Sequence, residues 1–270
     1  MPYNTLALET SRLDTLLAFL AVAISFADYS KHGLLRAARV YPYVRREGDT
    51  KSLQRYKWHA FIYVVPEVYD EVTEVDTIIV DEYADDIDLL AAFTAGLIDS
   101  DGTIVMSFKR RRGKMYFETE LEIVNANKDL LTRIQQAWAD YGIVLGLHVH
   151  SKIGKTKRFK RLRPVWRLRT CSQDTISKML EYILPYMYNI KRIARATLTK
   201  RYINGKVTKN TEIFRRVHER LIEYYDHVLK EKSIQLIQKL YWNDEILAIE
   251  PNGTIKVTPR ALSWLINNNH

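Results

Sequence analysis

Apolar and polar positions change period along the chain, and the changes mark its elements. Between Ser11 and Asp28, Leu13, Leu16, Leu17, Leu20 and Ile24 recur at helical spacing. Trp58 to Val65 reads as a strand closed by Pro66, and the acidic stretch Glu67 to Asp86 reads as a linker with one short apolar run, Thr77 to Val80. From Asp85 onward the pattern becomes regular. A helix over 88–99, with Asp85 or Asp86 as its N-cap, leads into a strand over 103–110 and a basic turn, Arg111 to Lys114. The next strand, Met115 to Val124, puts Met115, Phe117, Leu121 and Ile123 on one face and Tyr116, Glu118, Glu120 and Glu122 on the other. Asn125-Ala126-Asn127 caps a helix over 128–141 that Gly142 ends. Strands over 143–153 and 165–171 flank a loop dense in lysine and arginine, and Ser172 opens a helix that Pro185 breaks. The order helix, strand, strand, helix, strand, strand, helix predicts an α+β fold, an antiparallel sheet with helices on one face.

The flanks are less regular. Arg36 to Arg46 is basic with tyrosines interleaved, and 187–241 reads as long basic helices separated near Asn204-Gly205. A hairpin, Ile246 to Ile249 and Thr254 to Val257, and a helix over Pro259 to Ile266 close the tail. Three segments follow: an N-terminal extension of unclear fold over 1–84, a core over 85–200, and a helical C-terminal extension over 201–270 with its hairpin. No internal repeat of the 85–200 pattern is seen.

At 270 residues and 47% hydrophobic, the chain has enough apolar residues for one large core or two modest ones. Its net charge of +9, densest between Lys152 and Arg169, favours a polyanionic partner. The single cysteine, Cys171, excludes a disulfide framework and a cysteine-rich zinc site. The most apolar early run, Leu16 to Phe26, is too short to span a bilayer, and Glu9 and Asp14 stand where a signal peptide has basic residues. The expectation is a soluble intracellular protein with no membrane partner.

The stretch Leu89 to Gly102 carries the candidate chemistry. Ala91/Ala95 and Ala92/Gly96 lie four apart, which smooths a helix face for close approach of another helix. Gly102 can end the helix in a left-handed conformation, leaving Asp101 at the helix C-terminus, where the dipole disfavours an anion unless a cation is bound. A calcium-binding EF-hand loop is excluded, because position twelve from Asp99 is Arg110. Cutting a phosphodiester needs divalent cations held by fixed carboxylates. Two such helices packed through Ala91, Ala92, Ala95 and Gly96 bring two Asp101 carboxylates together, so one helix per chain implies a homodimer.

Ala95-Gly96-Leu97-Ile98-Asp99-Ser100-Asp101-Gly102 resembles the signature of the LAGLIDADG homing endonucleases, with Thr94 in place of leucine and Ser100 in place of alanine. Leu184 to Arg192 resembles the family's proline-aromatic-leucine segment that leads to a lysine, and the likeness covers about 85–200. It implies a unit of αββαββα order with a saddle-shaped antiparallel sheet. It implies Asp101 as ligand of Mg²⁺ (or Mn²⁺), joined by the backbone carbonyl of Ser100, with Ala92, Ala95 and Gly96 in the dimer seam. Lys191 matches the basic residue of such sites, one residue further from Pro185 than the family pattern, and reads equally as one solvated lysine on a basic helix. Asn125 or Asn127 matches the polar residue that orients water, although both serve as plain helix caps.

The outward sheet face is expected to read double-stranded DNA through Ser107, Lys109, Arg111, His148, His150, Lys152, Arg163, Arg167 and Arg169. Glu118, Glu120 and Glu122 fit that face badly unless they pair with arginines or accept from cytosine. His148-x-His150 lacks a third ligand and is not read as a metal pair. The helices over 191–220 and the loop 152–163 are expected to meet phosphates. The function expected is a site-specific homing endonuclease cutting both strands of a long, nearly palindromic duplex site. The alternatives are a non-cleaving nucleic-acid binder such as an intron maturase, and a pseudo-symmetric monomer with 11–84 as a degenerate first half.

Overall fold

A computed structural model describes residues 4–29, 35–46, 54–70, 80, 84–151, 154–155, 160–161, 164–205, 211–240, 245–252 and 254–259. The first elements are β1 (Asn4–Thr10), α1 (Leu13–Tyr29), β2 (Leu35–Arg46), β3 (Gln54–Val64), α2 (Ile87–Ser100), β4 (Thr103–Arg111) and β5 (Lys114–Asn125). Then come α3 (Lys128–Asp140), β6 (Gly146–Ser151), β7 (Gly154–Lys155), β8 (Lys160–Arg161), β9 (Val165–Thr170) and α4 (Gln173–Ile183). A 3-10 turn over Leu184–Tyr186, where Pro185 breaks the helix, precedes α5 (Ile190–Ile203), α6 (Thr211–Ile222), a π-helical turn and α7 (Leu229–Leu240). The last described strands are β10 (Leu247–Ile249) and β11 (Ile255–Val257). The helix expected over Pro259 to Ile266 lies outside the described residues beyond Pro259, as do Thr77 to Ile79, Lys152 and Arg163.

Two compact units form, 1–73 with 221–270, and 74–220. In the first, a five-stranded sheet runs in the order β1-β3-β2-β10-β11, and every described pairing is antiparallel. Alternate residues of β2 and β3, among them Ala38, Val40, Trp58, Ala60, Ile62 and Val64, face Leu16 and Leu20 of α1 and Ile237 and Leu240 of α7. The buried indole of Trp58 donates to Ser233 Oγ at 2.8 Å. The sequence separates the N- and C-terminal extensions, but the structure joins them, because β10 pairs with β2 through Leu247↔Val40 and Ile249↔Ala38. Three-residue strands cannot stand alone as a hairpin and are stabilised by adding to an existing edge.

The second unit carries the αββαββα order, with a four-stranded sheet β4-β5-β9-β6. Ile104, Leu121, Ile123 and Leu168 on its inner face pack with Ile98, Leu130, Ile134, Trp138, Ile176 and Leu180 of the helices, all at 2% exposure or less. Arg112 and Gly113 both have positive φ, 48° and 78°, which closes the β4–β5 hairpin with a twist that matches its strands. Gly142, at φ 69°, ends α3 as its position predicts. Gly102 departs from expectation, since its φ is not left-handed. A Cβ there would meet Ile98 Cα at 2.6 Å and Glu122 O at 2.9 Å, so the glycine lets the end of α2 lie directly on β5.

The two sheets differ in connectivity. After α2, the second strand β5 joins β9, whereas after α1 the second strand β3 joins β1. Among the described residues, the strand order of the first unit does not repeat that of the second.

Candidate functional site

Helix α2 is anchored at both ends by side-chain oxygens. Asp86 caps it, accepting from the N–H groups of Asp88 at 2.9 Å and Leu89 at 3.2 Å. Its buried stripe is Leu90, Ala91, Thr94, Ala95 and Ile98. Thr94 Oγ1 accepts from the fully buried indole Nε1 of Trp138 at 3.0 Å, which explains a hydroxyl where the resemblance has leucine. Ala95, expected in a dimer seam, is corrected to the domain's own core, at 0% exposure. Gly96 is exposed with no atom near its missing Cβ, Ala92 is half-buried and Leu89 is 42% exposed, so the outward line of this helix is Leu89, Ala92, Gly96 and Ser100.

At the C-terminus the two carboxylates part. Asp99 turns inward, where its Oδ2 accepts from the backbone N–H of Tyr188 at 2.5 Å and of Asn189 at 2.9 Å. Burial pushes its carboxyl above the ordinary value, against those hydrogen bonds and the charge of Arg192. Asp99 thereby pins the chain entering α5. Asp101 caps the helix, its N–H donating to Leu97 O, and its carboxylate is exposed. The carbonyl of Ser100, expected beside Asp101 as a metal ligand, accepts from Arg192 Nη2 at 2.9 Å.

Arg192, the neighbour of the expected Lys191, brings a basic side chain to this turn. The charge of Lys191 is also felt by His218 of α6, a buried imidazole whose ring lies 5.5 Å from that of Phe108. The signal for Arg192 is its place as the third residue of the helix that Asn189 caps, with Asn189 Oδ1 accepting from its N–H. Asn125, expected to orient water, has its Oδ1 taken by the N–H of Asn127 at 2.8 Å, and Asn127 in turn caps α3 at Leu130. The structure places Asn125 in a helix-starting turn.

On the sheet, the register puts Ser107 opposite Glu118, Lys109 opposite Tyr116 and Arg111 opposite Lys114, with Glu122 opposite Arg169 and His148 opposite Arg167. All stand on the face away from the core. Each glutamate that fitted badly is paired there. Glu118 binds Lys109, and Arg111 at 2.8 Å, and the Lys109 hydrogen bond holds its carboxyl below the ordinary value. Glu120 accepts from Arg169 at 2.9 Å. Glu122, 8% exposed, sits 3.4 Å from Arg167 and 3.6 Å from His150 Nδ1. Ser107 Oγ reaches Glu118 O at 3.5 Å, and the ring of the exposed His148 crowds Gly146. The face is a lattice of alternating charge rather than a bare cationic surface. Among the described residues no group of three or more His, Cys, Asp or Glu is gathered for a metal, and no helix is long and apolar enough to cross a membrane.

Residues 88–184 match a family model described as a LAGLIDADG-like domain. No curated protein matches the sequence. Among solved structures, the homing endonuclease I-CvuI in complex with its target in the presence of Ca is 19% identical, over 57% of this chain and 96% of that one, at a TM-score of 0.37. I-DmoI in complex with DNA and Mn is 14% identical over 67% and 81%, at 0.36. The LAGLIDADG homing endonuclease I-GzeII in complex with a DNA target is 16% identical over 56% and 43%, at 0.32.

Proposed function

We propose, for a chain whose residues 88–184 match the model of a LAGLIDADG-like domain, that it is a site-specific homing endonuclease acting on both strands of a long, nearly palindromic DNA duplex. The observation that carries this is the parting of the two acids. Asp99 turns inward and gives one oxygen to the backbone N–H groups of Tyr188 and Asn189, whereas Asp101 stands exposed at a helix C-terminus, where stability alone does not place an anion.

The donor set fits a hard cation: the Asp101 carboxylate, and the Ser100 carbonyl through the lone pair that Arg192 leaves free. Mg²⁺ or Mn²⁺, when bound, supplies an activated water and charge stabilisation at the phosphate. Arg192 fixes the Ser100 carbonyl and sets a cation beside the place where phosphate charge develops. One carboxylate and one carbonyl are an incomplete shell, so a second copy docking along Leu89, Ala92, Gly96 and Ser100 brings a second Asp101, and the working form is a homodimer. The paired face of β4, β5, β9 and β6 meets the duplex, its arginines exchanging glutamate for phosphate or guanine.

One observation favours a second reading, a non-cleaving nucleic-acid binder: Arg192 already occupies the carbonyl that a metal would use. Incubation with a plasmid library and Mg²⁺, comparing wild type with Asp101→Asn, separates the two. Linear product from wild type, and bound but intact DNA from the variant, is the expected result. Binding with no Asp101-dependent cleavage overturns the nuclease reading. Light scattering tests the assembly, since the mass of one 31.7 kDa chain refutes the homodimer.

A further inference from the structure

The negative end of α2 is served by a cation of the chain itself. The last carbonyls of a helix have no partner within it, and the summed peptide dipoles draw positive charge to that end. The last carbonyl of α2 is Ser100 O, and Arg192 Nη2 donates to it at 2.9 Å. The guanidinium is held there by more than its own hydrogen bond. Asp99 Oδ2 accepts from the N–H groups of Tyr188 and Asn189, and Asn189 Oδ1 accepts from the N–H of Arg192. The path from Asp99 through Asn189 and Arg192 to Ser100 closes on the residue next to its start. The turn thus fixes the backbone of the arginine whose side chain caps it. The charge of Arg192 also reaches Asp99, where it opposes the effect of burial.

Two cations therefore compete for one carbonyl. A small hard cation sits about 2 Å from its ligand oxygens, so a metal on Ser100 O lies within about 5 Å of Arg192 Nη2. The carbonyl has a second lone pair, so what opposes the metal is charge rather than bulk. A duplex changes the balance. A phosphate offers the planar guanidinium two charged oxygens, a stronger partner than one neutral carbonyl. Only the side chain has to turn, because Asp99 and Asn189 hold the start of α5 in place.

We propose that Arg192 is a latch on the metal position: in the free protein its guanidinium occupies the end of α2 and keeps divalent cations weakly bound, and a duplex phosphate that draws it away opens the position. The inference rests on the reading of Asp101 and Ser100 O as the metal donors. DNA and metal then load together, and each tightens the other by the same factor. An arginine that only capped the helix would behave differently, since its removal would lower stability and leave metal affinity unmoved.

The test counts Mn²⁺ bound to the full chain, without DNA, by electron paramagnetic resonance. Arg192→Gln keeps an N–H donor and removes the charge, and is expected to bind Mn²⁺ about tenfold more tightly than wild type, a usual scale for coupled sites. Adding Asp101→Asn should abolish that gain. Equal affinity in wild type and folded Arg192→Gln overturns the latch, as does Mn²⁺ binding that ignores Asp101 in both. Wild type alone supplies a second measurement, should the variant fail to fold. Modification of Arg192 by p-hydroxyphenylglyoxal, mapped by mass spectrometry, should quicken in saturating Mn²⁺ and slow with a duplex selected for binding in EDTA. A rate at Arg192 that either addition leaves unchanged overturns the proposal. Tighter Mn²⁺ binding in Arg192→Gln with no plasmid cleavage by wild type keeps the latch and sinks the endonuclease reading. Asp101-dependent cleavage with no effect of Arg192 on Mn²⁺ sinks the latch alone.

Discussion

Thr94→Val removes one oxygen from the middle of α2 and changes the shape of the core very little. In wild type that oxygen accepts from Trp138 Nε1 at 3.0 Å, and both residues are at 0% exposure. The indole cannot turn towards water, because Tyr141 and Tyr182 contact its ring at centroid distances of 6.4 and 5.9 Å. The variant therefore leaves a desolvated N–H with no acceptor, which costs about 1–3 kcal/mol. The valine methyl that replaces the hydroxyl offsets only a small part of this. With a urea slope of roughly 1–3 kcal/mol per molar, the midpoint should fall by about 1 M. Indole resonances of ¹⁵N-tryptophan protein give a local readout, in which one of the five indole signals should lose protection and shift. Trp138→Phe removes the donor, and in that background Thr94→Val should cost much less, the difference being the coupling of the pair. A single Thr94→Val variant within about 0.5 kcal/mol of wild type would refute the assigned hydrogen bond.

Two further outcomes follow from the charges. Glu118→Gln releases Lys109 and Arg111 from their shared carboxylate; duplex binding should tighten at low salt, and the slope of log affinity against log salt should steepen by up to about 2. An unchanged slope in anisotropy titrations means that these cations do not meet phosphate. The imidazole of His218 is held below its ordinary value of 6.5 by burial, with Arg195 and Lys191 adding to the effect. The native state then binds fewer protons than the unfolded chain, so the stability is fully present above 6.5 and is lost as pH falls through the lower native value. Melting curves of wild type should fall across that range while His218→Leu stays flatter, and parallel curves would contradict the assignment.

Much of the second unit was legible because its periods are clean. The alternation of Met115 to Val124 and the stripe of Leu130, Ile134 and Trp138 need only local geometry to be read. The first unit resisted because its sheet is closed by residues far apart in sequence. Nothing local to Leu247 or Ile249 says that the chain returns to Val40 and Ala38. The candidate site divides in the same way. Asp101 was readable from its place at a helix end, whereas Arg192 on the Ser100 carbonyl and Thr94 under Trp138 are tertiary pairings. Ala95 and Ala92 look alike in sequence, and only the packing of α2 decides that the first lies in the core.

If this sheet face meets a duplex as proposed, the three glutamates that looked like obstacles to a polyanion bear directly on its selectivity. A bare cationic face binds any duplex through phosphate and gains little from the right sequence. With Glu118, Glu120 and Glu122 in place, Lys109, Arg111, Arg167 and Arg169 already have carboxylate partners. A duplex must then replace those ion pairs with contacts of equal quality, which a poorly matched groove does not offer. The carboxylates lower affinity for every sequence, and lower it most where the arginines find no acceptor, so discrimination rises as general binding falls. Glu122 enforces this most strongly, because at 8% exposure it cannot swing into water when its arginine leaves, so an exchange at Arg167 has to be matched in place by an acceptor from the bound duplex.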